Sequence, residues 1–306
     1  MRVLVTGGAG FIGSHIVDLL VQHGAHVAVV DNLSRGVKDR LPEGVSFYQV
    51  GIESPRLHEV FAEIRPEYVI HQAAQVDVRR SVKDPEADAW INILGSIRLL
   101  ECCRRFGVRK VVYASSAAVY GDPVQVPVDE DHPILATSAY GVSKHTVEHY
   151  LFVYRALYGI DYAALRYSNV YGPRQDPSGD GGVVAIFAHR MVRGEPVTIY
   201  GDGEQTRDLV YVEDVARANL LALTRGEGVV VNVSCGRETS VNALFRMLKE
   251  AAGSASRAEH APERPGEIRR SCLANRKAQE LLGWKPEVSL EEGLERTVAY
   301  ARSARG

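Results

Sequence analysis

The sequence predicts an α/β protein built on a doubly wound parallel sheet, with a smaller mixed α/β lobe toward the C-terminus. Three observations carry that expectation. From Val3 to Arg166, short apolar runs alternate with segments whose apolar residues recur at helical spacing, the pattern of right-handed crossovers between parallel strands. A glycine-rich turn, TGGAGFIG, ends the first run and opens the first helix. Beyond Gly172 the alternation gives way to GPRQDPSGDGG, YGDGEQTRD and APERPGE, stretches suited to substrate loops above the carboxyl ends of the strands.

Taken in order, Val3-Leu4-Val5 and Ala25 to Val30 read as strands buried on both faces. Phe11 to His23 lies between them, with Ile12, Ile16, Leu19 and Leu20 on one helical face. Strands follow at Val45 to Val50, Tyr68 to His71, Lys110 to Ser115 and Tyr162 to Arg166, separated by helices at Pro55 to Ile64, Pro85 to Phe106 and 138–158. Further helices are expected at Val183 to Arg193, Val212 to Thr224, Val241 to Ala252 and Leu290 to Arg302. The expected division is a dinucleotide-binding domain over 1–171, to which 210–226 returns, and a substrate lobe over 172–306.

At 306 residues the chain is long enough for one large core or two modest ones. The net charge of −2, with no long run of Lys or Arg, gives no electrostatic footprint for nucleic acid, so that partner is excluded. The chain enters a strand at Arg2 without a secretory leader, and no segment has the apolar length to span a bilayer. A cytoplasmic protein without a membrane partner is expected. Cys102, Cys103, Cys235 and Cys272 lack C-x-x-C spacing and read as reduced thiols packed as small apolar groups. His145 and His149 are one helical turn apart, but no matched set of ligands accompanies them, so no metal is expected.

Two motifs carry chemistry. Gly7, Gly10 and Gly13 let the backbone approach a pyrophosphate and present free N–H groups at a helix start, and Asp31 ends the second strand. The Asp31 carboxylate suits the two adenosine ribose hydroxyls and repels a 2′-phosphate, which favours NAD over NADP; Arg35 nearby opposes that preference. Tyr140 and Lys144 have i,i+4 spacing on a predicted helix, which brings a phenol and an ammonium to one face. An isolated phenol is a poor base at neutral pH, and a fixed cation beside it favours the phenolate.

Nearly end to end, the chain resembles the extended short-chain dehydrogenase/reductase family, and within it the nucleotide-sugar 4-epimerases. The resemblance runs through TGGAGFIGSH, DNLSRG, HQAAQVDVRRSV, YASSAAVYGD, SAYGVSK, LRYSNVYGPRQ, GDGEQTRDLVYVEDV and RPGEI. It implies a Rossmann sheet, and NAD lined by Phe11, Ile12, Asp31, Asn32, Ser34, Arg35, Ile52, Ala73, Ala74, Gln75, Asn92, Tyr167, Tyr140 and Lys144. Gly51 stands where the family usually has an acidic residue reading the adenine amino group.

The same resemblance implies that Tyr140 is the general base, that Lys144 and the positive nicotinamide lower its pKa, and that Ser116 hydrogen-bonds the reacting sugar oxygen. Related dehydratases and decarboxylases carry an acid in the turn after that serine, where this chain has Ala117 and Ala118. The reaction left is return of the hydride to the opposite face of C4, a 4-epimerisation in which binding energy is concentrated on the nucleotide. Asn169, Arg207 and Arg264 match positions that hold the diphosphate, with Gly182, Val183, Tyr211 and Glu267 nearby. Ser271 matches a position beside the sugar C2, where a small side chain leaves room for an acetamido group. The expected activity is interconversion of UDP-glucose and UDP-galactose, extending to N-acetylated sugars, by a homodimer joined through the helices of 85–106 and 138–158. Two neighbouring activities stay open: a UDP-glucuronate 4-epimerase, with a carboxylate contact from Arg174, and a nucleotide-4-keto-sugar reductase. The different-class alternative is a non-enzymatic NAD-binding protein.

Overall fold

The computed structural model describes residues 1–178, 182–264 and 268–304. The strands are β1 (Arg2–Thr6), β2 (His26–Val30), β3 (Ser46–Tyr48), β4 (Tyr68–His71), β5 (Lys110–Ser116), β6 (Asp161–Tyr167), β7 (Asn169–Tyr171), β8 (Val197–Tyr200), β9 (Thr206–Arg207), β10 (Leu209–Tyr211), β11 (Val229–Val233), β12 (Thr239–Ser240) and β13 (Ala258–Ala261). The helices are α1 (Phe11–Gln22), α2 (Leu57–Ile64), α3 (Val78–Lys83), α4 (Pro85–Ala89), α5 (Gly95–Phe106), α6 (Ala139–Tyr158), α7 (Val183–Val192), α8 (Val212–Ala222), α9 (Val241–Ala251), α10 (Arg276–Leu282) and α11 (Leu290–Ser303).

Seven strands form one sheet in the order β3-β2-β1-β4-β5-β6-β11, every neighbouring pair parallel. The order reverses direction between β1 and β4, which opens the crevice where α/β sheets bind ligands. Successive side chains of β1 point to opposite faces: Val3 and Val5 enter the core under α1, α8 and α10, and Leu4 enters the one under α2, α5 and α6. A third core, built on Phe187, Met191, Ile199, Leu244, Leu248, Leu294 and Val298, belongs to the lobe.

Three departures from the sequence expectation bear on the site. The segment 85–106 is not one helix: α4 passes through a π turn at Trp90–Leu94 before α5. The short helix α3 forms on an Asp77 cap whose side chain accepts from the Arg80 N–H. The return of the chain to the sheet also runs past 226, because β11 adds the seventh strand beside β6, and Ala278, Leu282 and Trp284 pack into the same core as Val231 and Val233.

Candidate active site

Gly7 takes φ +68, and a Cβ there would lie 2.7 Å from the Ala73 nitrogen, so only glycine lets the loop after β4 close against the turn after β1. A Cβ on Gly13 would meet the Gly7 carbonyl oxygen, which fixes how closely α1 crosses the turn. Gly10 caps α1 without a side-chain acceptor, leaving backbone N–H groups of the first turn to a ligand. Asp31 is only 7% exposed and braces this cradle, one oxygen accepting from Ala9 N at 3.0 Å and the other from Leu33 N at 2.8 Å.

The remaining cofactor expectations fall around this cradle. The Asn32 side chain accepts from Ser34 N at 3.0 Å, and Arg35 pairs with Asp77 at 3.5 Å. Phe11 and Ile12 pack against the lobe core, and Ile52 is buried against Gly95. Gln75 turns its amide inward, to the Asp77 backbone and the Asp88 carboxylate, and Asn92 is spent on Gln75, Asp88 and Ser143. These two residues therefore shape the wall from behind. The Tyr167 hydroxyl is held by Gln72 and Asn219. At Gly51 the Glu53 carboxylate folds back into the space a side chain would occupy, so an acid does stand there, supplied from two residues further along. A glycine cradle, exposed helix N–H groups and a strand-end carboxylate together fit a dinucleotide.

Ser138 caps α6, accepting from Gly141 N at 3.1 Å, and this fixes the first turn that carries Tyr140. The Ser116 and Tyr140 hydroxyls hydrogen-bond each other, and Ser116 also accepts from Ala118 N at 3.2 Å. The buried Lys144 ammonium donates to the Ala114 carbonyl at 2.8 Å and lies 5.7 Å from the centre of the Tyr140 ring. In this structure burial pushes the Tyr140 phenol up to about 12; the Ser116 hydrogen bond lowers it, the Asp88 carboxylate raises it, and Lys144 is not among the main influences. Burial also pulls Lys144 down to about 8, against the upward pull of Asp88 and Glu148.

Ser116 and Tyr140 open onto a cavity of about 330 Å³. Its wall includes Ala117, Ala118, Tyr167, Asn169, Arg207 and Ser271 from the expected set, and adds Tyr120, Ser168, Ile268, Cys272 and Leu273. Among the described lining residues Arg207 is the one cation and there is no carboxylate. Arg207 donates to the carbonyls of Thr206 and Ile268, both at 2.8 Å. The other expected substrate residues lie elsewhere. Tyr211 is 1% exposed and packs on Tyr171 in the lobe core. Gly182 caps α7, and Val183 packs beside that core. The Arg264 guanidinium stacks 3.6 Å from the centre of the Tyr200 ring, and Glu267 lies outside the described residues. Arg174 pairs with Asp18 at 2.7 Å, away from the cavity wall. The His145 and His149 rings hydrogen-bond each other at 3.2 Å, and His145 also meets Glu148.

Asp208 was not anticipated. Fully buried between β9 and β10, it accepts from the backbone N–H groups of Cys235, Gly236 and Leu273 and so ties the end of β11 to the 271–273 wall of the cavity. The signal was present in QTRD, where an acid follows the anchoring arginine directly.

Comparison with known proteins gives a consistent picture. Residues 3–234 match the model of the NAD dependent epimerase/dehydratase family. A putative UDP-glucose 4-epimerase of Methanocaldococcus jannaschii is 49% identical over 98% of both chains, and a UDP-glucose 4-epimerase of Mycolicibacterium smegmatis is 44% identical over 99% of both. A crystal structure of the Thermotoga maritima UDP-glucose 4-epimerase with UDP-glucose superposes with a TM-score of 0.98 at 50% identity, covering 100% of both chains. The Thermus thermophilus UDP-glucose 4-epimerase complexed with NAD gives a TM-score of 0.95 at 47% identity, over 99% of this chain and 100% of that one.

Proposed function

Because the chain belongs to the NAD dependent epimerase/dehydratase family, we propose a reaction that inverts C4 of a UDP-hexose, interconverting UDP-glucose and UDP-galactose. The observation that carries this reading is the cavity itself: Ser116 and Tyr140 line it, and the turn after Ser116 offers only Ala117 and Ala118. Without an acid in that turn, neither elimination beside a ketone nor loss of carbon dioxide has a proton carrier there. Bound NAD supplies the hydride acceptor and donor, and a positive charge beside the phenol.

Each residue has a defined task. Tyr140 takes the proton of the sugar O4 as the C4–H bond breaks, and returns it when hydride comes back to the opposite face. Ser116 hydrogen-bonds O4 and keeps the phenol oriented. Lys144, held on Ala114, places its charge beside the phenol. The sugar must turn over between the two transfers, so the nucleotide carries the binding: Asn169 and Arg207 hold the diphosphate from the cavity wall, while Arg264 is stacked on Tyr200 outside it. On the cofactor side, Asp31 receives the adenosine ribose, and Glu53 is the carboxylate available to the adenine amino group. Gly7, Gly10 and Gly13 receive the pyrophosphate.

Size and chemistry favour hexoses over uronates. Ser271 in the wall leaves room beside C2 for an acetamido group, whereas Arg174, the group suited to a C6 carboxylate, is committed to Asp18. The protein works as a homodimer: Trp90 and Leu94 on the π turn and Val142, Phe152 and Leu157 on α6 are exposed large apolar residues on neighbouring elements, a face that a second copy would cover. Light scattering should give twice the chain mass, and a monomer would count against that. The free cysteines suit a reducing cytoplasm, and no helix among the described residues is long and apolar enough to cross a membrane. The reading is tested by incubating purified protein with UDP-glucose and no added cofactor. UDP-galactose should accumulate to an equilibrium mixture; a dehydrated or pentose product would refute it.

A further inference from the structure

Asp88 is 1% exposed, on α4 just before the π turn. Its Oδ1 accepts from Gln75 Nε2 at 2.9 Å and from Asn92 Nδ2 at 3.1 Å. Its Oδ2 has no hydrogen-bond partner, and no Lys or Arg pairs with it among the described residues. Buried carboxylates are ordinarily paired or fully hydrogen-bonded, because a lone charge in a dry interior is costly. A neutral amide would satisfy the two donors on Oδ1 equally well. The charge therefore needs its own explanation.

The surroundings supply one. Asn92 reaches Ser143 Oγ at 3.1 Å, and that hydroxyl donates to the Tyr140 carbonyl at 3.0 Å, so the Gln75, Asp88 and Asn92 cluster abuts the turn of α6 that carries both catalytic side chains. We propose that Asp88 is a positioning residue of the reaction, its buried carboxylate supplying the negative charge that keeps the Lys144 ammonium in place beside Tyr140 while it fixes the amides behind the cofactor wall. Asp88 and Asn92 are four residues apart, so both side chains fall on the face turned to Gln75.

Other groups face the same interior. Tyr140, Lys144 and Glu148 come from α6, Tyr113 from β5 and His71 from β4; burial, with Lys144 second, pulls His71 down to about 3, so it stays neutral. Arg79, Arg80 and Lys83 of α3 are exposed. Asp88 and Glu148 both favour the charged form of Lys144, and Glu148 is already held in a buried ion pair with Arg166 at 2.7 Å. Asp88 also raises the Tyr140 phenol. Removing its charge should move both groups in the same direction, toward deprotonation at lower pH.

This inference rests on the roles given above to Tyr140 and Lys144, and its test has one arm that does not. Asp88→Asn should retain NAD while both limbs of the pH profile of kcat/KM shift toward acid by about half a unit or more. A profile of unchanged position with uniformly lower rates would make Asp88 a structural acceptor only and overturn the proposal. The second arm is a thermal double-mutant cycle with Lys144→Met, which strands the carboxylate without its cation. Adding Asp88→Asn to Lys144→Met should recover part of the lost Tm. Strictly additive losses would overturn the pairing whatever the protein catalyses, and this arm also decides the matter if Asp88→Asn alone folds poorly.

Discussion

Lys144 donates its ammonium to the carbonyl oxygen of Ala114, two residues before Ser116 on β5, at 2.8 Å. One hydrogen bond thereby links the helix that carries the base to the strand that carries its partner. The spacing of Ser116, Tyr140 and Lys144 is set by this contact as well as by the pitch of α6.

Tyr140→Phe should fold normally and keep its NAD, yet lose about 10²–10⁴-fold in kcat, the usual worth of a positioned acid–base group. Steady-state kinetics with cofactor content read by absorbance checks this. Turnover near that of wild type would remove Tyr140 from the reaction.

Asp31 should make the protein prefer NAD over NADP, because both carboxylate oxygens are fixed by Ala9 and Leu33 and neither can swing away from a 2′-phosphate. Arg35 is drawn to Asp77. Binding titrations of the two dinucleotides on cofactor-stripped protein should show that preference, and Asp31→Asn should erode it.

Ser271→Tyr should depress epimerisation of UDP-N-acetylglucosamine selectively while largely sparing UDP-glucose, since the new ring would fill the wall beside C2. The ratio of the two kcat/KM values is the measurement. Equal losses on both sugars would place the determinant elsewhere in the lobe.

Glu148 gives a pH prediction for stability. Burial pushes its carboxyl up, but hydrogen bonds from Arg166 and His145, the Arg166 charge and Ser115 outweigh that and hold it down at about 2. The ordinary value is about 4.3, so the folded state keeps the carboxylate where the unfolded chain has begun to bind a proton. The stabilisation is present above the unfolded value and is lost as pH falls through about 2. Glu148→Gln strands the Arg166 guanidinium and should cost about 3–5 kcal/mol at pH 7. Denaturant melts should show the gap to wild type narrowing below about pH 4.

Much of this was legible in the sequence because local chemistry and global fold agree there. The glycine turn, Asp31, Ser116 and the YxxxK helix all sit at strand or helix ends, where few residue types fit. Other features depend on contacts far apart in sequence. β11 is an apolar run in a region that reads as loops, and it becomes a strand only because β6 offers a free edge. Tyr211 looks like a site residue by its neighbours in the chain, but β10 turns its ring into the lobe core beside Tyr171. Burial and Asp88 raise the Tyr140 phenol, and i,i+4 spacing, which gives proximity to a cation, says nothing of either. Gly51 was a departure whose compensation by Glu53 required the backbone bend to be seen.

In the proposed reaction hydride leaves C4 and returns to the same carbon within one active site. UDP-glucose carrying deuterium at C4, incubated with the protein in ordinary water without added cofactor, tests it most directly. The expected product is UDP-galactose with the deuterium still on C4. Loss of the label to solvent, or its appearance in released reduced cofactor with a ketone product, would contradict it.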